Sequence, residues 1–86
     1  DADTEKTKEV LIRAGESVPT RAEDKPVNAI ITDFGDNSVN WQVRVMARNA
    51  DFLVVQQEVM HAVKKALEAE GLDIPYPQVV VHRADA

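Results

Sequence analysis

Two prolines at alternate positions, Pro75 and Pro77, separate a glycine from a run of three valines in the stretch G-L-D-I-P-Y-P-Q-V-V-V-H, Gly71–His82. No other segment restricts the fold as strongly. Gly71 can close a helix, because glycine enters the left-handed conformation of helix C-termini without a Cβ clash. Each proline fixes its own φ and drives the residue before it, Ile74 or Tyr76, toward extended backbone. Val79-Val80-Val81 then reads as a strand apolar on both faces, with Val79 and Val81 on one side and Val80 and His82 on the other. Such a strand needs partners on both faces, which a chain of 86 residues can hardly supply. The prolines read as an extended spacer holding the strand clear of the preceding helix. The pattern points to assembly rather than catalysis.

The length allows one domain, in which about 60–65% of the unfolded chain's surface can be buried. An apolar content of 44% supports a real core and argues against disorder. Asp and Glu number 15 against 10 for Lys and Arg, a net charge of -5. That sign repels phosphate backbones and anionic lipid heads, so nucleic-acid and direct membrane-surface binding are disfavoured. No apolar run reaches the length of about 18 residues that a spanning helix needs. The opening D-A-D-T-E-K has no secretory signal character. The absence of Cys excludes disulfides and thiolate zinc sites and fits a reducing compartment.

Asp3 or Thr4 can cap a first helix whose buried stripe is Thr7, Val10, Leu11 and Ala14, ending at Gly15. The polar segment Glu16–Pro26, bracketed by Pro19 and Pro26, reads as a loop. Val27–Phe34 reads as a strand, and Gly35-Asp36-Asn37-Ser38 as a hairpin turn. Val39–Arg48 alternates cleanly: Val39, Trp41, Val43, Val45 and Ala47 face a core, whereas Asn40, Gln42, Arg44 and Arg48 face outward, with Met46 the lone apolar exception. Asn49 or Asp51 caps a long helix, Phe52–Glu70, with an inward stripe of Phe52, Val55, Val59, Ala62, Val63 and Ala66. The expected core is Val10, Leu11, Val39, Trp41, Val43, Val45, Phe52, Val55, Val59 and Val63. Leu53, Met60 and Leu67 recur every seven residues on a neighbouring stripe. They either widen the core face or contact a helix of another chain.

The order helix, strand, strand, helix, strand is α+β. Two helices on one face of a small antiparallel sheet make a ferredoxin-like α-β-β-α-β arrangement lacking the usual first strand, with a C-terminal extended strand. The chain begins where that strand would have ended, so a fragment of a longer protein is expected.

Four pieces in order carry a family resemblance. Asp1–Leu11 (D-A-D-T-E-K-T-K-E-V-L) looks like a first helix, F-G-D-N-S-V-N (Phe34–Asn40) a hairpin turn, and Val43-Arg44-Val45 an R-V strand. Phe52–Gly71 and I-P-Y-P-Q (Ile74–Gln78) complete the set. Together they resemble the C-terminal cytoplasmic domain of the small-conductance mechanosensitive channel (MscS) family. Met46 stands where an aromatic often follows the R-V pair, and Trp41 sits earlier. The resemblance implies a structural, oligomerising vestibule domain of a channel subunit on the cytoplasmic side of the bacterial inner membrane, usually in a ring of seven. It divides the chain into a ferredoxin-like domain, 1–77, and a strand and tail, 78–86, for an oligomeric parallel β-barrel. Leu53, Met60, Leu67, Val79, Val80 and Val81 are the expected oligomer interface. Membrane attachment would come only through a pore domain outside this chain.

Nothing in the residues calls for a cofactor, a metal or catalysis. His61, one turn after Glu58 and beside Lys64 and Lys65, reads as a solvated helix histidine, and His82 as a strand-end residue; the two lack zinc-site spacing. Asp33-Phe34-Gly35 reproduces a kinase tripeptide without the rest of a kinase. Asp33 and Asp36 flank a turn that explains them better than a cation does. Lys64-Lys65 is too small for a nucleic-acid patch. The alternative function is a ligand-binding regulatory module using the polar sheet face of Asn40, Gln42, Arg44 and Arg48, which rests on fold analogy.

Overall fold

In a computed structural model describing residues 2–34 and 39–84, the elements are α1 (Ala2–Glu16), β1 (Asn28–Phe34), β2 (Val39–Ala47), a single 3-10 turn (Asn49–Asp51), α2 (Phe52–Glu70) and β3 (Gln78–Arg83). The turn Gly35–Ser38, and with it the candidate Asp36, lies outside the described residues, as do the side chains of Asp33, Phe34 and Val39. Both helices cover one face of a three-stranded sheet of order β1-β2-β3. The fold is α+β and ferredoxin-like in the α-β-β-α-β order expected.

Hairpin partners β1 and β2 pair antiparallel from Asn28↔Arg44 to Phe34↔Val39, with a register irregularity between Ile31 and Asp33. The third strand differs from the expected antiparallel sheet. β3 lies parallel to β2, from Gln42↔Gln78 to Ala47↔Arg83. A strand reached through a crossover helix returns in the direction of its predecessor, so β2-α2-β3 is a parallel unit once no strand intervenes. The reading of Pro75 and Pro77 as a spacer holding β3 clear of the helix is therefore corrected. β3 belongs to the domain's own sheet and packs under α2. Leu72 and Ile74 in the connection are themselves partly buried against the core.

The alternation of β2 and the 3.6-residue stripe of α2 meet as expected. Leu11, Val43, Val45, Val55 and Val59 are fully buried, with Val10, Trp41 and Val63 nearly so. Phe52 is only half-buried, because it opens α2 at the edge of the core, where the Arg83 guanidinium stacks 5.2 Å from its ring centroid. The loop after α1 contributes more than a polar composition suggests, since Val18, Ala22 and Val27 are buried. The Arg21 guanidinium donates to the carbonyls of Glu16, Ala22 and Lys25, and the Ala22 amide donates to Met46 O at 2.9 Å. The Thr20 hydroxyl donates to Glu58 on α2.

Helix ends correct two readings and bear out one. α1 runs from Ala2, so Asp3 and Thr4 stand inside its first turn rather than at its cap. Gly15 does not end it; the helix continues to Glu16 and Gly15 faces the sheet, where a Cβ would lie 2.7 Å from Val27 Cγ1. Gly71 does close α2, at φ 67°. Its amide donates to Glu68 O at 3.2 Å and the Leu72 amide to Leu67 O at 3.0 Å, the paired bonds of a Schellman motif. Asp51 occupies the N-cap position of α2 without a side-chain capping bond.

Candidate functional site

The crevice between α1 and α2 is lined by Val10, Ala14, Ala62 and Ala66, so one flank of α2 is committed to the neighbouring helix. At about 100° per residue, Leu53 and Met60 turn toward the opposite flank, on the β3 side of the molecule. Leu53 is 71% exposed and Met60 56%. Leu67, their expected companion, is instead 3% exposed and part of the core. A straight α-helix drifts about 20° per heptad against a strict seven-residue repeat, so two heptads rotate Leu67 inward from Leu53. Of the expected interface trio, only Leu53 and Met60 are exposed.

β3 divides in the same way. Val81 is buried under α2 and Val79 packs partly against the core, whereas Val80 lies on the other face and is half-buried. The three valines therefore do not form one exposed patch. Because β3 ends the sheet order, its outer edge has no strand partner among the described residues. Such an edge, without proline or lysine, is a template for further strand pairing. Tyr76, 69% exposed, stands just before it. Between α2 and this edge runs a groove of about 460 Å³ whose apolar lining includes Met60, Val63, Pro77 and Val79. Tyr76 and Pro77 were legible in the sequence only as backbone-setting residues; that their side chains would border a groove with α2 depends on β3 joining the sheet.

The opposite face of the sheet is uncovered. Gln42 Nε2 donates to Gln78 Oε1 at 3.3 Å, and Arg44 Nε donates to Gln42 Oε1 at 2.6 Å. Asn40, Arg44 and Arg48 are exposed there or at its margin. These residues make a flat polar ladder, and none of them lines the groove. His61 is exposed on α2 and His82 on β3, on separate elements. Among the described residues, no group of three or more His, Asp or Glu could hold a metal ion, and no helix is long and apolar enough to cross a membrane.

Comparison with known proteins adds to this geometry. Residues 1–74 match the family model described as "Mechanosensitive ion channel MscS, C-terminal". The chain is 34% identical over 79 residues to an MscS family protein of Archaeoglobus fulgidus, covering 92% of this chain and 28% of that protein. It is 33% identical over 82 residues to a small-conductance mechanosensitive channel of Edwardsiella ictaluri, covering 95% of this chain and 29% of the channel. It thus spans less than a third of the length of these curated relatives. A solved structure of a triply substituted MamM CTD shares the fold, with a TM-score of 0.64 at 15% identity over 99% of this chain and 100% of that one. The matched family is one of ion channels and not a known enzyme family. The chain belongs to the MscS family of mechanosensitive ion channels, as its C-terminal domain.

Proposed function

We propose that this domain is a cytoplasmic assembly module of a mechanosensitive channel subunit, on the inner face of a bacterial membrane, with no catalysis of its own. Its partners in this reading are further copies of the same chain, seven in the ring that the family resemblance implies. The single observation that supports self-assembly most is the coincidence, on one side of the molecule, of an unpaired β3 edge with the exposed apolar side chains Leu53, Met60 and Tyr76. Exposed apolar patches beside an open edge mark interaction surfaces more often than they mark solvent-facing ones.

In the assembled channel, β3 or its outer edge would pair with the equivalent strand of a neighbour, closing a shared barrel that leaves no edge exposed. Val80, half-buried on the bare sheet face, gains cover only in such an assembly. The test is sedimentation velocity on the isolated chain over a hundredfold concentration range, alongside native gels of a full-length channel bearing the same substitutions. Leu53→Glu with Met60→Glu should shift both toward monomer without lowering the melting temperature at concentrations where the parent chain is itself monomeric. Unchanged assembly in both systems would remove this flank of the domain from the interface.

A further inference from the structure

We propose that the groove between α2 and the Tyr76–Val79 segment binds a single-chain organic anion, with an apolar tail on its floor and a carboxylate at Lys64 and His61. The groove shares Met60 and Tyr76 with the proposed assembly surface, but Leu53, the most exposed apolar residue of that flank, does not line it and so separates the two readings.

Its size of about 460 Å³ falls within the range of about 300–1,000 Å³ typical of small-molecule sites. Met60, Val63, Pro77 and Val79 give an apolar floor, and Met60 brings an unbranched thioether that adapts to an alkyl chain. Apart from the Tyr76 hydroxyl on the far side, the polar side chains are gathered on the α2 edge. Lys64 and His61 stand three positions apart on α2 and so share a side of the helix. Gln57, one turn before His61, adds an amide donor.

Charge decides the sign of the ligand. Among the described residues no carboxylate lines the groove, although Asp and Glu outnumber Lys and Arg 15 to 10 in the chain. Glu58, the acid nearest in sequence on that part of α2, accepts from the Thr20 hydroxyl and lines the adjoining crevice, which shares Gln57 and His61 with the groove but not Lys64. Lys64 forms no ion pair among the described residues. An ammonium with no protein counter-ion at the end of an apolar trough complements a carboxylate on an alkyl chain. A cationic amphiphile would find the floor but no partner for its head. A short anion such as acetate would find the head group site but leave the floor wet.

Titration of the ¹⁵N- and methyl-labelled chain with decanoate, below its micellar concentration, tests the proposal directly. Saturable shifts should centre on Met60, Val63 and Val79, with decyltrimethylammonium weaker by about tenfold or more, the size of one lost charge-assisted contact, and acetate weaker by at least as much because its tail burial is lost. Lys64→Glu should weaken decanoate by a similar factor, whereas Lys65→Glu, which faces the other crevice, and Leu53→Glu should not. Equal binding of decanoate and decyltrimethylammonium, shifts centred elsewhere, insensitivity to Lys64→Glu, or no saturable binding would each overturn the site. Retained binding in the Leu53→Glu variant keeps this result separate from the fate of the assembly reading.

Discussion

Gly15 and Gly71 are both near helix ends, yet they are glycines for unrelated reasons. At Gly15 the constraint is space. The last turn of α1 approaches the sheet so closely that a methyl group would meet Val27 Cγ1 at 2.7 Å, and the χ1 of valine is too stiff to yield easily. At Gly71 a Cβ would meet nothing within 4 Å, and the constraint is φ 67° alone. Two substitutions to alanine should separate these causes in denaturant melts. Gly15→Ala gains about 1 kcal/mol of helix propensity but incurs about 1–3 kcal/mol of overpacking, so a net loss is expected. A net gain would mean that Val27 moves aside freely. Gly71→Ala should lose about 1–2 kcal/mol from the left-handed backbone, and Gly71→Asn distinctly less, because asparagine tolerates that region better. Equal losses for Ala and Asn would point to packing rather than backbone at this position.

Among the elements, α2 was legible to the residue in the sequence, and β2 nearly so. Each carries an unbroken period, of 3.6 residues and of two residues respectively, and each buries the face its period defines. The loop after α1 was legible as a loop but not as part of the core. Its composition is polar, and the burial of Val18, Ala22 and Val27 depends on where the sheet lies. The interface stripe failed at Leu67 because seven-residue spacing read on paper ignores the angular drift of a real helix. β3 was legible as a strand with Val79 and Val81 on one face and Val80 on the other, but neither its inner face nor its neighbour was. Strand order is set by which edge is free when the chain returns, and local sequence does not encode it. One measurement grades the strands. β2 has a partner on each side, whereas β3 has one. In native-state hydrogen exchange, the Val43 and Val45 amides should therefore exchange only on global unfolding, and the β3 amides through smaller openings at lower free energy. Identical exchange free energies in the two strands would show that β3 is as firmly built in as β2.

For the molecule as a whole, among the described residues, one layer of helices covers one face of a sheet whose other face and both edges are open. At this size, stability at the low end of the usual range of about 5–15 kcal/mol is expected, which gives self-association a natural thermodynamic role. Sole among the tryptophans, Trp41 is 5% exposed on the inner face of the central strand, so its emission reports the core directly. Fluorescence and far-ultraviolet dichroism should give coincident urea transitions for the isolated chain at low concentration. A separate earlier transition by either probe would mean that part of the sheet melts independently.

The parallel placement of β3 also sets the order of events when the chain folds. The β1–β2 hairpin joins residues as few as five apart, Phe34 and Val39, whereas every β2–β3 pairing spans the whole of α2, 36 residues between Gln42 and Gln78. Nearly three doublings of loop length add about 2 kcal/mol of closure entropy, so the hairpin and α2 can form before β3 has docked. Truncations on the two strands should then act on different rates. Val43→Ala should slow folding, whereas Val81→Ala should leave the folding rate nearly unchanged and speed unfolding. A Val81→Ala variant that folded as slowly as Val43→Ala would place β3 in the nucleus. Otherwise β3 is the last of the three strands to arrive and the first to leave. For a time in each molecule's life, a six-residue strand with two open edges is then available to a neighbouring chain.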